Sequence, residues 1–303
     1  MARSTANFET AVADANHSQP HGYDPLADDV RPVPLGFERL TVAVAAAGGV
    51  WSNVGDMARF LAMHLREGQS LDGVQLFPEQ ELLETHTPQA SIQDGLSYGL
   101  GWLISHANPV DVLWHDGGTA GFTARVLGLP SNDWWLVILT NHSGGSLFQE
   151  AVTRYAIELA FGTPHMGDAD LLELDAQSHA AYAELFARTA PVAPDADVAD
   201  YLGSYERGLS VAQTGEELTI SSVYGELRFR VVTGLEDTFL DVDNVLGGIA
   251  AQFSTDEQGR SVLSLGGVNF ETGELLYPFE PPGWGRHEGV SASATRRRPP
   301  CSG

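Results

Sequence analysis

Lysine is missing altogether: all 16 basic residues are arginine, set against 40 acidic ones. A Schiff base, a neutral-amine general base and a P-loop lysine are therefore outside the chemistry of this sequence. Cysteine is nearly missing too. Cys301 is the single copy, which excludes an intramolecular disulfide and a cysteine-built zinc site. Positive charge is scarce, and a formal net charge of −24 would repel a phosphate backbone, so nucleic acid is not an expected partner. The one basic cluster, "TRRR" from Thr295 to Arg298, lies in the terminal "SASATRRRPPCSG", and residues 283–303 read as a disordered tail. No apolar run approaches the roughly 18 residues of a membrane span. The first thirty residues lack the basic start and apolar middle of a signal peptide, which leaves the cytoplasm as the default expectation.

What is present is enough for two domains: 303 residues, 43% of them hydrophobic. Residues 1–40 are polar, with prolines at 20, 25, 32 and 34, and read as an extended approach rather than a packed unit. In "SNVGDMARFLAMHLREG" the residues Val54, Met57, Phe60, Leu61 and Leu65 recur at helical spacing, with Ser52 as N-cap and Gly68 as stop. His64 falls at the boundary of that apolar face. A short helix follows from Pro78 to before Pro88.

The period then changes. "SYGLGWLIS", "VDVLWH", "FTARVLGLP" and "WWLVILTN" predict short antiparallel strands joined by tight hairpins. Ser146 and Gln149 suggest a capping box for a helix to about Phe161, with Phe148, Val152, Tyr155 and Leu159 as its apolar face. The expected fold class is α+β, an antiparallel sheet with packed helices over residues 1–165, then a helical linker over 166–197 marked by Pro191 and Pro194. Residues 198–282 carry strand signals separated by "TGEE", "TGLED" and "TDEQG", the pattern of a small antiparallel β-barrel.

Chemistry concentrates in "WHDGGTAGF", Trp114 to Phe122. Asp-Gly is a common hairpin dipeptide, so a turn accounts for part of it. Yet His115 beside Asp116, Gly117, Gly118 and Thr119 also places backbone N–H groups next to a titratable ring, and two residues without side chains would let a ligand approach the strand edge. "YGLGW" offers an adjacent strand of similar character. A rival nucleophile is Ser143 in "LTNHSGGS", in the strand–turn–helix order of a nucleophile elbow, but Asn141 stands where that elbow needs glycine. His17 and His21 are spaced like helical metal ligands. Pro20 and Gly22 argue against a helix there, and no metal site is expected.

The ordered set "AAAGGVWSNVGDMARFL", "YGLGW", "WHDGGTAGF" and "WWLVILTN" resembles the second half of the serine β-lactamase-like family: class C β-lactamases, penicillin-binding esterases and D-aminopeptidases. The segment opening "YLGSYE" is similar to the barrel appended to many members. The resemblance implies an acyl-serine hydrolase of amides, esters or β-lactams, without organic cofactor or metal. In that family an S-x-x-K box supplies the nucleophile, a Y-x-N loop relays protons, and a K-T-G or H-x-G strand supplies an anchor and an oxyanion-hole N–H. The resemblance assigns catalytic roles to His115 and Gly118, and substrate contacts to Asp116, Gly117 and Thr119.

The departure is equally specific, because S-x-x-K cannot be written without lysine and no Y-x-N precedes Ser52. "MARST" is similar to an internal family segment. The expectation is a fragment of a β-lactamase/transpeptidase-like domain, inactive alone, whose small-molecule or peptide substrate binds once the catalytic half is supplied. The alternative is a non-catalytic binding or regulatory remnant that keeps the H-x-G groove. A missing half also implies an unpaired sheet edge at "WWLVILTN" and self-association through it.

Overall fold

The computed structural model describes residues 1–106, 110–165, 167–193, 198–205, 208–243, 248–268 and 275–279. The expected tail at 283–303, with Cys301, and Pro194 of the expected linker lie outside these residues. The chain divides into two compact units, with the division along the sequence between Ala183 and Glu184.

Unit 1 opens with α1 (Phe8–Ala13), the hairpin β1 (His21–Asp24) and β2 (Asp29–Pro32), a 3-10 segment (Leu35–Val44) and the short α2 (Ala45–Gly48). This overturns the extended reading of residues 1–40. Pro32 ends β2 and Pro34 precedes the 3-10 segment, places where a missing N–H costs little. Phe8, Val33 and Phe37 are buried, and Trp51 packs edge-on against Phe8 and Phe122.

Two helices follow, α3 (Val54–Leu65) and α4 (Glu79–Thr85). The cap of α3 is Asn53, not Ser52: its side chain accepts from Asp56 N–H at 3.0 Å, while Ser52 Oγ meets Ser4 Oγ at 2.8 Å. Both residue types cap well, and tertiary contact chose between them. The buried side of α3 is Asp56, Leu61, Met63 and His64, whereas Val54 is exposed.

The sheet of unit 1 is antiparallel, in the order β3 (Ala90–Gln93), β4 (Leu96–Tyr98), β5 (Leu103–Ser105), β6 (Val112–Gly118), β7 (Thr123–Leu129), β8 (Trp134–Thr140). "SYGLGWLIS" is two strands, not one; Gly101, at φ +87°, makes the turn between β4 and β5. Leu61 of α3 packs on Trp102, Ile104 and Leu113, with Phe60, Val126, Trp135 and Val137 around them. β8 is the last strand of this order.

Helix α5 (Ser146–Phe161) has the expected bounds, but not the expected faces. Gly145 is its N-cap and Ser146 makes no capping bond; Gln149 is buried and donates to Thr123 Oγ1 at 3.2 Å. Phe148, Tyr155 and Leu159 are 61%, 56% and 67% exposed, so the apolar stripe faces outward and the sheet side is polar. Arg154 of α5 bonds Asp170, at the start of α6 (Ala169–Ala187).

Unit 2 holds β9 (Thr189–Ala190), β10 (Gly203–Tyr205), β11 (Leu209–Thr214), β12 (Glu217–Ser222), β13 (Gly225–Val232), β14 (Thr238–Asp241), β15 (Ala250–Thr255), β16 (Ser261–Val268) and β17 (Leu275–Phe279). From β10 to β17 each strand pairs with the next, β9 joins β13, and the sheet curls as a half-barrel. The "TGEE" turn works because Gly215 takes φ +62° between β11 and β12. Leu209, Leu218, Ile220, Leu227, Phe229 and Leu263 are almost wholly buried, the inner face of an alternating pattern.

Candidate active site

β6 outruns its neighbour. β5 pairs with it only as far as Trp114, whereas β7 accompanies it to Gly118. Residues 115–118 thus have one paired edge and, among the described residues, one free edge. Thr119 N–H donates to Phe122 O at 2.9 Å, closing the hairpin. Antiparallel alternation then turns the peptide groups of Gly117 and His115 toward β7, and those of Gly118 and Asp116 toward the free edge.

The "HDGG" stretch is therefore not the tip of the hairpin. It is strand, with the turn at residues 119–122, and neither Gly117 nor Gly118 takes a positive φ. A Cβ on Gly117 would meet only Ala124 Cβ at 3.9 Å, and one on Gly118 only Thr123 Cγ2 at 4.0 Å, both ordinary contacts. Among the described residues nothing demands glycine at either position. Their effect is to leave the strand surface bare.

His115 bonds at both ring nitrogens: Nδ1 lies 2.6 Å from Asp116 O and Nε2 3.1 Å from Tyr98 Oη. The Asp116 side chain goes elsewhere. Its two oxygens accept from Arg125 Nε and Nη2, each at 2.8 Å, and Arg125 Nη1 donates to Glu150 of α5 at 2.6 Å. The carboxylates raise the pKa of Arg125, Asp116 foremost.

Thr119 stands in the turn, where the Glu38 carboxyl, 2% exposed, approaches its hydroxyl and the N–H groups of Gly121 and Ala120. Burial raises the pKa of Glu38, and these contacts oppose the rise. Neither Glu38 Oε1 nor Thr119 Oγ1 reaches full hydrogen-bond geometry.

Ser143 follows β8, and its N–H donates to His21 O at 3.0 Å. Beside it His142 accepts from Gly144 N–H through Nδ1, while its buried Nε2 has no partner among the described residues. His17 and His21 stand apart in role: His17 Nδ1 contacts Asp14 O, and His21 opens β1, where its Nδ1 meets Asn141.

No sequence pattern marks Tyr98, Glu38 or Arg125 as a site residue. Tyr98 lies inside the quoted "YGLGW", so its motif was visible and its contact was not. For Glu38 no local signal existed. His64 and His86 were likewise unforeseen as a pair: the rings meet at 2.9 Å beside Trp102, and burial, then His86, lowers His64 to about 4.

The family model for Beta-lactamase matches residues 2–160, more than half of the chain. The chain belongs to the Beta-lactamase family. Among solved structures, this Beta-lactamase-family chain is similar to the octameric penicillin-binding protein homologue from Pyrococcus abyssi: 18% identity, TM-score 0.46, covering 87% of this chain and 55% of that one. It is also similar to SurE, at 20% identity and TM-score 0.40, covering 82% of this chain and 53% of that one. The chain thus spans about half the length of the solved structures it matches. No curated protein matches it.

Proposed function

We propose that this chain carries the substrate-edge and oxyanion part of a serine hydrolase acting on amides, esters or β-lactams through an acyl-serine. One observation carries the reading. Residues 115–118 form a free strand edge, bare at Gly117 and Gly118, with the Gly118 N–H directed outward. A donor so placed can stabilise the oxyanion of a tetrahedral intermediate, and the open strand can seat the substrate beside it. His115 and Gly118 take the catalytic roles, Gly117 lines the approach, Asp116 serves by tying β6 through Arg125 to α5, and Thr119, its hydroxyl turned to the buried Glu38, closes the hairpin.

Without lysine the chain has no S-x-x-K of its own, so the acylating serine and its base belong to sequence outside these 303 residues. A non-catalytic binding role is the second reading, favoured by the same missing box. To test this, incubate the chain with a fluorophosphonate or a penicillin and take the intact mass, alone and with the N-terminal half of a family member. The expected outcome is no adduct alone and a stoichiometric adduct on the added half. An adduct on Ser143 of the chain alone overturns the assignment, and no adduct in either mixture favours the binding role.

A further inference from the structure

The free edge of β6 carries a histidine that is held at both nitrogens. Nδ1 of His115 lies 2.6 Å from the Asp116 carbonyl oxygen, and because that oxygen can only accept, Nδ1 carries the proton. In the neutral ring Nε2 is then a bare acceptor, and the Tyr98 hydroxyl, 3.1 Å away, donates to it. Tyr98 ends β4, and its ring meets the imidazole edge-on, at 6.0 Å between centroids and 76° between planes.

We propose that Tyr98 is a positioning residue: with the Asp116 carbonyl holding His115 as the Nδ1–H tautomer, its hydroxyl donates to Nε2, fixes the ring and makes the pair a proton acceptor at the free edge of β6. The functional meaning of this pair rests on the acyl-transfer reading above; its geometry does not. A fixed anchor for an anionic substrate group would need an N–H at Nε2 pointing into the open, and here Nε2 points at Tyr98. Proton entry at Nε2 runs through that hydroxyl. Oη takes a proton from outside as its own passes to Nε2, which leaves Tyr98 neutral and His115 an imidazolium whose Nδ1–H still donates to Asp116 O. Donation outward starts only from that imidazolium, so the resting pair is set to receive.

The test is long-range proton–nitrogen NMR on the full ¹⁵N-labelled chain at pH 8, above the ordinary imidazole range. The His115 signals are assigned by their loss in His115→Gln. The expected spectrum has a protonated Nδ1 and a bare, hydrogen-bonded Nε2, and Tyr98→Phe moves the Nε2 signal to the position of a bare nitrogen with no donor. A dominant Nε2–H form in the unmodified chain overturns the proposal, as does an Nε2 signal that Tyr98→Phe leaves in place. Should Tyr98→Phe fail to fold, the tautomer of the unmodified chain still decides. Turnover is not read here, so failure of the lock and failure of the hydrolase reading are separate results.

Discussion

Arg125 grips Asp116 with two parallel hydrogen bonds, Nε to Oδ1 and Nη2 to Oδ2, each 2.8 Å long. The guanidinium is 12% exposed and the carboxylate 37%, so the pair sits between a surface bridge and a buried one. Surface pairs contribute about 0–1 kcal/mol, and breaking a buried pair costs about 3–5. Arg125→Gln is expected to cost about 2 kcal/mol in urea unfolding, since it also releases Glu150. Asp116→Asn should cost less, and the double variant should fall short of the sum. Strict additivity would mean that the two residues are not coupled.

Two glycines facing each other's strands predict opposite outcomes. A Cβ on Gly128 would clash with the Trp135 indole, so Gly128→Ala should lose about 1–3 kcal/mol, the usual cost of overpacking. Gly118→Ala has room and an ordinary backbone, and a strand generally gains from the exchange, by about 0.5–1 kcal/mol. Thermal melts of the two variants check this. A Gly118→Ala that melts well below the parent would make that glycine structural, and would remove the argument that its bareness serves a ligand.

The buried His64 gives stability a pH dependence of known sign. Its pKa, about 4 against an ordinary 6.5, means the folded chain binds fewer protons than the unfolded one between those values. The contribution, up to about 3 kcal/mol, is fully present above pH 6.5 and withdrawn as the pH falls toward 4. His64→Leu should flatten the stability profile between pH 6.5 and 4. An unchanged slope would place the titration elsewhere.

Glu38 works in the other direction. Its raised pKa means that the folded chain holds that proton more tightly than the unfolded one does. The stability involved is present below the ordinary glutamate range and lost as the pH rises through the raised value. Unfolding of Glu38→Gln and the parent, compared across pH, should show the variant gaining relative to the parent as the pH rises. A constant difference refutes the burial argument.

Self-association is expected through the outer surface of unit 1. β8 ends its sheet, and Phe148, Tyr155 and Leu159 project from α5. A strand edge without a partner among the described residues and exposed apolar side chains each invite association. Sedimentation velocity over a range of concentrations should show reversible association, reduced in Phe148→Lys/Leu159→Lys. A monomer at all concentrations would reject this.

Periodicity in the sequence determined the type of α3, α5, β7 and β8, though not of α1 or the β1–β2 hairpin: the pattern in "FTARVLGLP" and "WWLVILTN" is that of β7 and β8, and Gly162 ends α5 where the helical pattern stops. Local spacing reports a residue's neighbours along the chain, and these elements follow from such neighbours. Only the tertiary structure decided what each face meets. Gln149 goes inward because Thr123 offers a partner, Phe148 goes outward because the sheet side of α5 is taken by polar contacts, and "HDGG" is strand because β7 extends the pairing to Gly118. The contact of Tyr98 with His115 spans 17 residues, and that of Glu38 with Thr119 spans two separate elements. Burial and hydrogen-bond partners are set by chain closure over such separations, and no local period encodes them.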